Sequence, residues 1–166
     1  MRRILLGIAV CLIALWSPTA LRATTAGAPA PAFELITLTG ESYSRDSLKG
    51  RPTLLIFWAP WCNVCQRELP QLSEFYQRSK PGKLAVVSIG FADTRTNVEQ
   101  FIKERPNTFV YPTAYDEDRW VALAFKVHAT PTYVLLDAQG SIVLVHRGGG
   151  VLQNPQLQEL LSSLER

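Results

Sequence analysis

With 166 residues the chain has room for one domain with a well-buried core. A content of 47% hydrophobic and 19% charged residues excludes a disordered or fibrous polypeptide. The formal charge of +3 rests on Arg2, Arg3 and Arg22; from residue 24 onward fourteen basic side chains face fourteen acidic ones, which excludes a phosphate-neutralising, nucleic-acid-binding surface.

The first 23 residues read as an export signal. Arg2 and Arg3 form a positive start, the 13-residue run Ile4 to Trp16 is apolar, and Ser17-Pro18-Thr19 breaks it before a small-residue stretch ending at Ala23. Cleavage is expected after Ala23, with Ala26 and Ala28 as other positions. The alternative is an uncleaved membrane anchor, although the run is short of the roughly 20 residues that span a bilayer. Residues 24–31 (TTAGAPAP) are aperiodic and read as a linker, and residues 32–166 as the folded domain.

In the domain, Phe33 to Leu38 and Glu41 to Tyr43 predict two short strands around Thr39-Gly40. A helical turn at Asp46 to Gly50 precedes a strong strand, Thr53 to Trp58. Cys62 to Arg78 predicts a helix with Leu69, Leu72, Phe75 and Tyr76 on one stripe, kinked at Pro70. Leu84 to Gly90 has the continuous apolar character of a strand buried on both faces. A helix over Asn97 to Arg105 follows, then a short strand around Phe109 to Tyr111 and a helix from Asp118 to Lys126. Pro131 to Leu136 and Ser141 to His146 form a hairpin, and Asn154-Pro155 opens a last helix with Leu157, Leu160, Leu161 and Leu164 inward. The expected fold is an α/β sandwich with a mixed sheet.

Three cysteines are present. Cys11 lies in the apolar run, where it acts as a small hydrophobe, and Val10 before it is too large for a lipoprotein site. The domain is left with Cys62 and Cys65, spaced C-x-x-C in a chain bound for an oxidising compartment. A strand ending at Trp58 and a helix beginning beside Cys62 place that cysteine where unpaired N–H groups and a partial positive charge stabilise a thiolate. Cys62 is therefore expected to be the exposed nucleophile, and Cys65, one turn in, the shielded thiol that resolves a mixed disulfide. A purely stabilising bridge is a weaker reading, because so short a loop removes little chain entropy. A metal site would need further ligands, for which only His128 and His146 are on offer.

Glu68 lies three residues beyond Cys65 on the same helical face. It admits two readings: a proton acceptor for Cys65, since the strand Thr53 to Trp58 holds no acid, or a glutamate complementing the helix dipole. Pro131, in Ala129-Thr130-Pro131-Thr132, belongs at a strand start or edge because it lacks a ladder donor.

The run Phe57-Trp58-Ala59-Pro60-Trp61-Cys62-Asn63-Val64-Cys65 resembles the active-site segment of the thioredoxin superfamily. The extended pattern through Glu68 and Pro70, with Gly50-Arg51-Pro52 and Thr130-Pro131-Thr132-Tyr133, is similar to its exported TlpA, ResA and CcmG (DsbE) branch over residues 32–166. The resemblance implies a thioredoxin-like three-layer sandwich with a central mixed β-sheet flanked by helices. It implies that Cys62 attacks, Cys65 resolves and Glu68 handles the proton that a buried aspartate handles elsewhere, Ile56 standing in that aspartate's place. It also implies that Pro131 is a cis-proline lining the substrate groove with Thr130, and that Trp61 is the aromatic residue beside the nucleophile. Asn63-Val64 departs from the family's usual intervening pairs and bears on the redox potential, and His128-Ala129-Thr130 departs from the Gly-Ala-Pro-Glu run of the CcmG type, so apocytochrome c is not assigned as substrate.

The function expected is an exported, periplasmic thiol–disulfide oxidoreductase, free or tethered to the inner membrane. It would be a monomer without cofactor or metal that reduces disulfides in partner proteins and is re-reduced by a membrane donor of the DsbD or CcdA type. The alternatives are an oxidase or isomerase of the same fold, separated from a reductase by potential alone, and a Cu(I)-binding chaperone using the cysteines with His146. The four tryptophans are assigned to core and active-site positions, apart from Trp16 in the export segment.

Overall fold

A computed structural model describes residues 27–78 and 82–165. The export segment and the first residues of the linker lie outside them. Strand β1 (Glu34–Ile36) pairs antiparallel with β2 (Ser42–Ser44). A five-stranded sheet follows, in the order β5 (Thr113–Tyr115), β4 (Ala85–Gly90), β3 (Thr53–Trp58), β6 (Thr132–Leu136), β7 (Ile142–Arg147). Strands β3, β4 and β5 are parallel, whereas β6 and β7 each run antiparallel to the preceding neighbour. The helices are α1 (Asn63–Arg78), α2 (Arg95–Lys103), α3 (Trp120–Ala124) and α4 (Pro155–Glu165). Among the described residues no helix is long and apolar enough to cross a membrane.

Alternation along β3 divides the core into two layers. Leu54, Ile56 and Trp58 meet Leu69 and Leu72 of α1, Val98 and Phe101 of α2, and Leu157 of α4. Leu55 and Phe57 meet Val121 and Ala122 of α3, together with Leu35, Phe91 and Phe125. Every residue of β3, β4 and β6 is buried, as their unbroken apolar character predicts. At about 1.5–3 kcal/mol for each large apolar side chain removed from water, this double layer is the main stabilising term. The fold is the three-layer thioredoxin-like sandwich implied by the sequence.

Several boundaries differ for physical reasons. The predicted strand at Phe109 to Tyr111 is a loop, and β5 lies four residues further on. Pro112 has no N–H for the ladder, and the aromatic side chains of the loop fill the core, with Phe109 4.8 Å from the Trp58 ring and Tyr111 buried. Helix α2 starts two residues early because the Thr94 hydroxyl caps it, accepting the Asn97 N–H at 3.2 Å. The helix predicted from Asp118 begins only at Trp120, after a 3₁₀ turn. There the buried Asp116 carboxylate accepts the N–H groups of Val121 and Ala122, and Asp118 and Arg119 take left-handed backbone angles. Asn154 caps α4 as expected, and α1 runs through Pro70 uninterrupted. Residues 28–30, read as linker, lie along the start of β7, with Ala30 buried. Trp120 contradicts its assignment to core or active site: it is 73% exposed, because α3 turns Val121 and Ala122 inward instead.

Candidate functional site

The site forms where β3 hands over to α1. The Cys62 N–H reaches back to the Ala59 carbonyl, and the Cys62 carbonyl accepts the Gln66 N–H at 3.0 Å, the first bond of the helix. Cys62 is thus the capping residue of α1, and its Sγ accepts the N–H of Cys65 at 3.1 Å. A sulfur so placed receives one of the orphan donors of the first turn and sits at the positive end of the helix dipole. Cys62 and Cys65 form a disulfide, with their Cα atoms 5.2 Å apart. The order of accessibility follows the sequence, but the degree does not. Cys65 is fully buried, while Cys62, expected to be exposed, retains only 5% of its surface because it is enclosed in the same core layer. Of the intervening pair, Asn63 faces solvent and Val64 packs partly on the core.

Trp61 is 59% exposed, and its indole N–H donates to the Ala92 carbonyl at 3.1 Å, which fixes the ring beside Cys62. The register Phe57↔Thr132 brings Pro131 to the end of β3 from which the cysteine segment departs. The Thr130–Pro131 peptide is cis, Pro131 is buried and Thr130 is partly exposed. The Pro131 carbonyl accepts the Gly148 N–H at 2.9 Å, so the glycine segment after β7 is latched to this end of the sheet.

Glu68 is held by groups that sequence reasoning did not find. Its Oε2 accepts the Tyr133 hydroxyl at 2.7 Å, and its Oε1 accepts the Gly150 N–H. Tyr133 is fully buried next to Ile56 in the sheet. Burial, and then the Glu68 carboxylate, push its phenol well above the ordinary tyrosine range. Gly149 must remain glycine for Glu68 to keep this place, since a Cβ there would stand 2.6 Å from Oε1 and 3.2 Å from Val64 Cγ1. A usable sequence signal was Tyr133 itself, the one hydroxyl-bearing aromatic residue in the strand TYVLL, because a buried phenol needs a partner.

His128 is exposed. His146 donates or accepts at both ring nitrogens within the fold, Nε2 lying 2.9 Å from the Gly149 carbonyl and Nδ1 3.3 Å from the Asn154 amide. With Nδ1 accepting from the amide, Nε2 carries the proton and tethers the glycine segment. Among the described residues no group of three or more His, Cys, Asp or Glu side chains is placed to hold a metal ion.

A buried dithiol–disulfide pair at the start of a helix, on a thioredoxin-like sheet with a cis-proline beside it, defines a thiol–disulfide redox domain. The comparisons agree. Residues 25–161 match the model of the Redoxin family, and the chain belongs to that family. It is 31% identical over 122 residues to the thiol-disulfide oxidoreductase ResA of Bacillus subtilis, covering 74% of this chain and 67% of ResA. It is 34% identical over 124 residues to the thioredoxin-like protein YneN of the same organism, covering 74% and 71%. Among solved structures, StoA from Bacillus subtilis superposes with a TM-score of 0.66 at 29% identity, over 80% of this chain and 98% of that one.

Proposed function

We propose that the chain is an exported thiol–disulfide oxidoreductase that reduces disulfides in partner proteins. In its dithiol form the Cys62 thiolate attacks one sulfur of the partner's disulfide, joining Cys62 to the partner and releasing the other partner sulfur as a thiolate. Cys65 then gives up its proton, attacks Cys62 Sγ and breaks the mixed disulfide. The partner leaves with two thiols, having gained two electrons, and the enzyme is left as the Cys62–Cys65 disulfide. The observation that carries this reading is the capping position of Cys62, whose sulfur accepts the Cys65 N–H and so suits a thiolate better than a thiol.

Glu68, one helical turn beyond Cys65, takes the Cys65 proton, and Tyr133 and Gly150 are positioning residues that hold its carboxylate. Trp61, Thr130 and Pro131 line the groove that receives the partner, and Asn63 and Val64 tune the potential. The pairing of a positive start with the apolar run Ile4 to Trp16 supports export to the periplasm, with or without a retained anchor. A monomer working there needs electrons from outside its own compartment, which a membrane donor of the DsbD or CcdA type supplies.

The test is trapping with insulin as the disulfide partner. Cys65→Ser is expected to accumulate a mixed disulfide through Cys62, and Cys62→Ser to form none. A Cys65→Ser protein that stays unreactive contradicts the scheme.

A further inference from the structure

Three consecutive glycines have no conformation of their own to keep, since each visits left- and right-handed backbone regions alike and loses more freedom on folding than any other residue. Yet Gly148-Gly149-Gly150 supplies one of the two hydrogen bonds to Glu68, and a donor that wanders cannot fix a carboxylate. The segment is held from outside, at each residue in turn. The Gly148 N–H donates to the Pro131 carbonyl, the Gly149 carbonyl lies 2.9 Å from His146 Nε2, and the Gly150 N–H donates to Glu68.

Which nitrogen of His146 carries the proton is decided at the start of α4. Asn154 Oδ1 accepts the N–H groups of Gln156 and Leu157 at 3.0 and 3.4 Å. Its amide nitrogen is therefore the group turned to His146 Nδ1, 3.3 Å away. An NH2 group only donates, so Nδ1 accepts, Nε2 bears the hydrogen, and Nε2 donates to the Gly149 carbonyl. That carbonyl and the Gly150 N–H belong to one planar peptide group. His146 grips its oxygen end while its N–H end points at Glu68 Oε1. The grip fixes the plane of the peptide and, by polarisation along linked hydrogen bonds, strengthens the N–H as a donor. The other donor to Glu68 comes from the residue directly across the strand pair: Tyr133 and His146 are register partners, with ring centroids 5.9 Å apart.

We infer that His146 is a positioning residue for the resolving step, acting on Cys65 only through Glu68, whose carboxylate it holds by orienting and polarising the Gly149–Gly150 peptide. This rests on the reading of Glu68 as the acceptor of the Cys65 proton. Both ring nitrogens are committed within the fold, so the imidazole has no free lone pair to offer that proton, and its effect passes through the peptide.

Single-turnover reduction of insulin by the reduced full chain reads the resolving step. His146→Phe keeps a ring against Tyr133 and removes both nitrogens. Because Gly149 is exposed and water replaces part of the lost bond, resolution is expected to slow about threefold, toward the low end for one hydrogen bond. His146→Gln keeps a side-chain N–H and is expected to recover most of the rate; a glutamine as slow as the phenylalanine contradicts the donor role. In a Glu68→Ala background His146→Phe is expected to change nothing, and a further slowing there would mean that His146 acts elsewhere, which overturns the inference. The Gly150 amide proton gives a readout independent of activity. In the oxidised chain its NMR resonance is expected to move upfield in His146→Phe, and an unmoved resonance also overturns the inference. A Glu68→Ala chain that resolves at the wild-type rate overturns the proton-accepting reading of Glu68, and this inference with it. A slow Glu68→Ala beside an unslowed His146→Phe overturns this inference alone.

Discussion

Replacing Tyr133 with phenylalanine removes one oxygen and leaves the ring in place, so it isolates the hydrogen bond to Glu68. That bond is short, 2.7 Å, and one partner is a carboxylate, the kind whose loss costs about 1.5–3 kcal/mol. Glu68 is only partly buried, so water takes up some of the loss, and the low end of that range, about 1.5 kcal/mol, is the expectation for Tyr133→Phe. The sign should change once Glu68 is gone. In a Glu68→Ala background the phenol is a fully buried hydroxyl deprived of its acceptor, and removing it becomes neutral or stabilising. Urea unfolding of the four proteins of this cycle at neutral pH measures the coupling, which should be about 1.5 kcal/mol or more. A Tyr133→Phe cost that is the same in both backgrounds would refute the assignment of Tyr133 as the residue that holds Glu68.

Two further outcomes follow from the same neighbourhood. Gly149→Ala should loosen Glu68, because the new Cβ would stand 2.6 Å from Oε1; slower resolution of the insulin mixed disulfide by Cys65, seen in single-turnover reduction of insulin, is expected, and an unaltered resolution rate counts against a proton-accepting Glu68. At high pH the buried tyrosines should destabilise the fold. Burial pushes the Tyr111 phenol up to about 12, and Tyr133 is raised as well. The unfolded chain therefore loses these protons first, from about pH 10, and stability falls by about 1.4 kcal/mol per pH unit for each tyrosine. For Tyr111 the loss ends near pH 12. Denaturant unfolding between pH 10 and 12 should show a shallower slope in Tyr111→Phe; an identical slope would mean that this phenol does not titrate differently in the two states.

How far the sequence spoke for the structure depended on whether a residue's role was local. Cys62, Cys65 and the helix that starts beside them are set by a strand end and a helix start only a few positions apart, and the C-x-x-C spacing makes that visible. The apolar runs of β3, β4 and β6 were equally plain, since strands buried on both faces need no alternation. What could not be read was long-range. Tyr133 meets Glu68 across 65 positions and Gly150 meets it across 82, and neither partner carries a local pattern that announces the contact. Phe109 to Tyr111 looked like a strand because aromatic and β-branched residues favour one, yet those aromatic rings are spent on the core around Trp58. Trp120 misled in the opposite direction: composition suggests burial for tryptophan, whereas the Val121 and Ala122 N–H groups donate to Asp116 and the side chains of those two residues turn inward, leaving Trp120 outside.

The equilibrium reduction potential of the Cys62–Cys65 pair, measured against glutathione buffers, tests the central claim most directly. A reductase fed by a dedicated electron donor should lie near or below the potential of thioredoxin, roughly −270 mV. A value close to that of the strong oxidant DsbA, roughly −120 mV, would mean that the chain donates disulfides to its partners, and would contradict the direction of electron flow proposed for it.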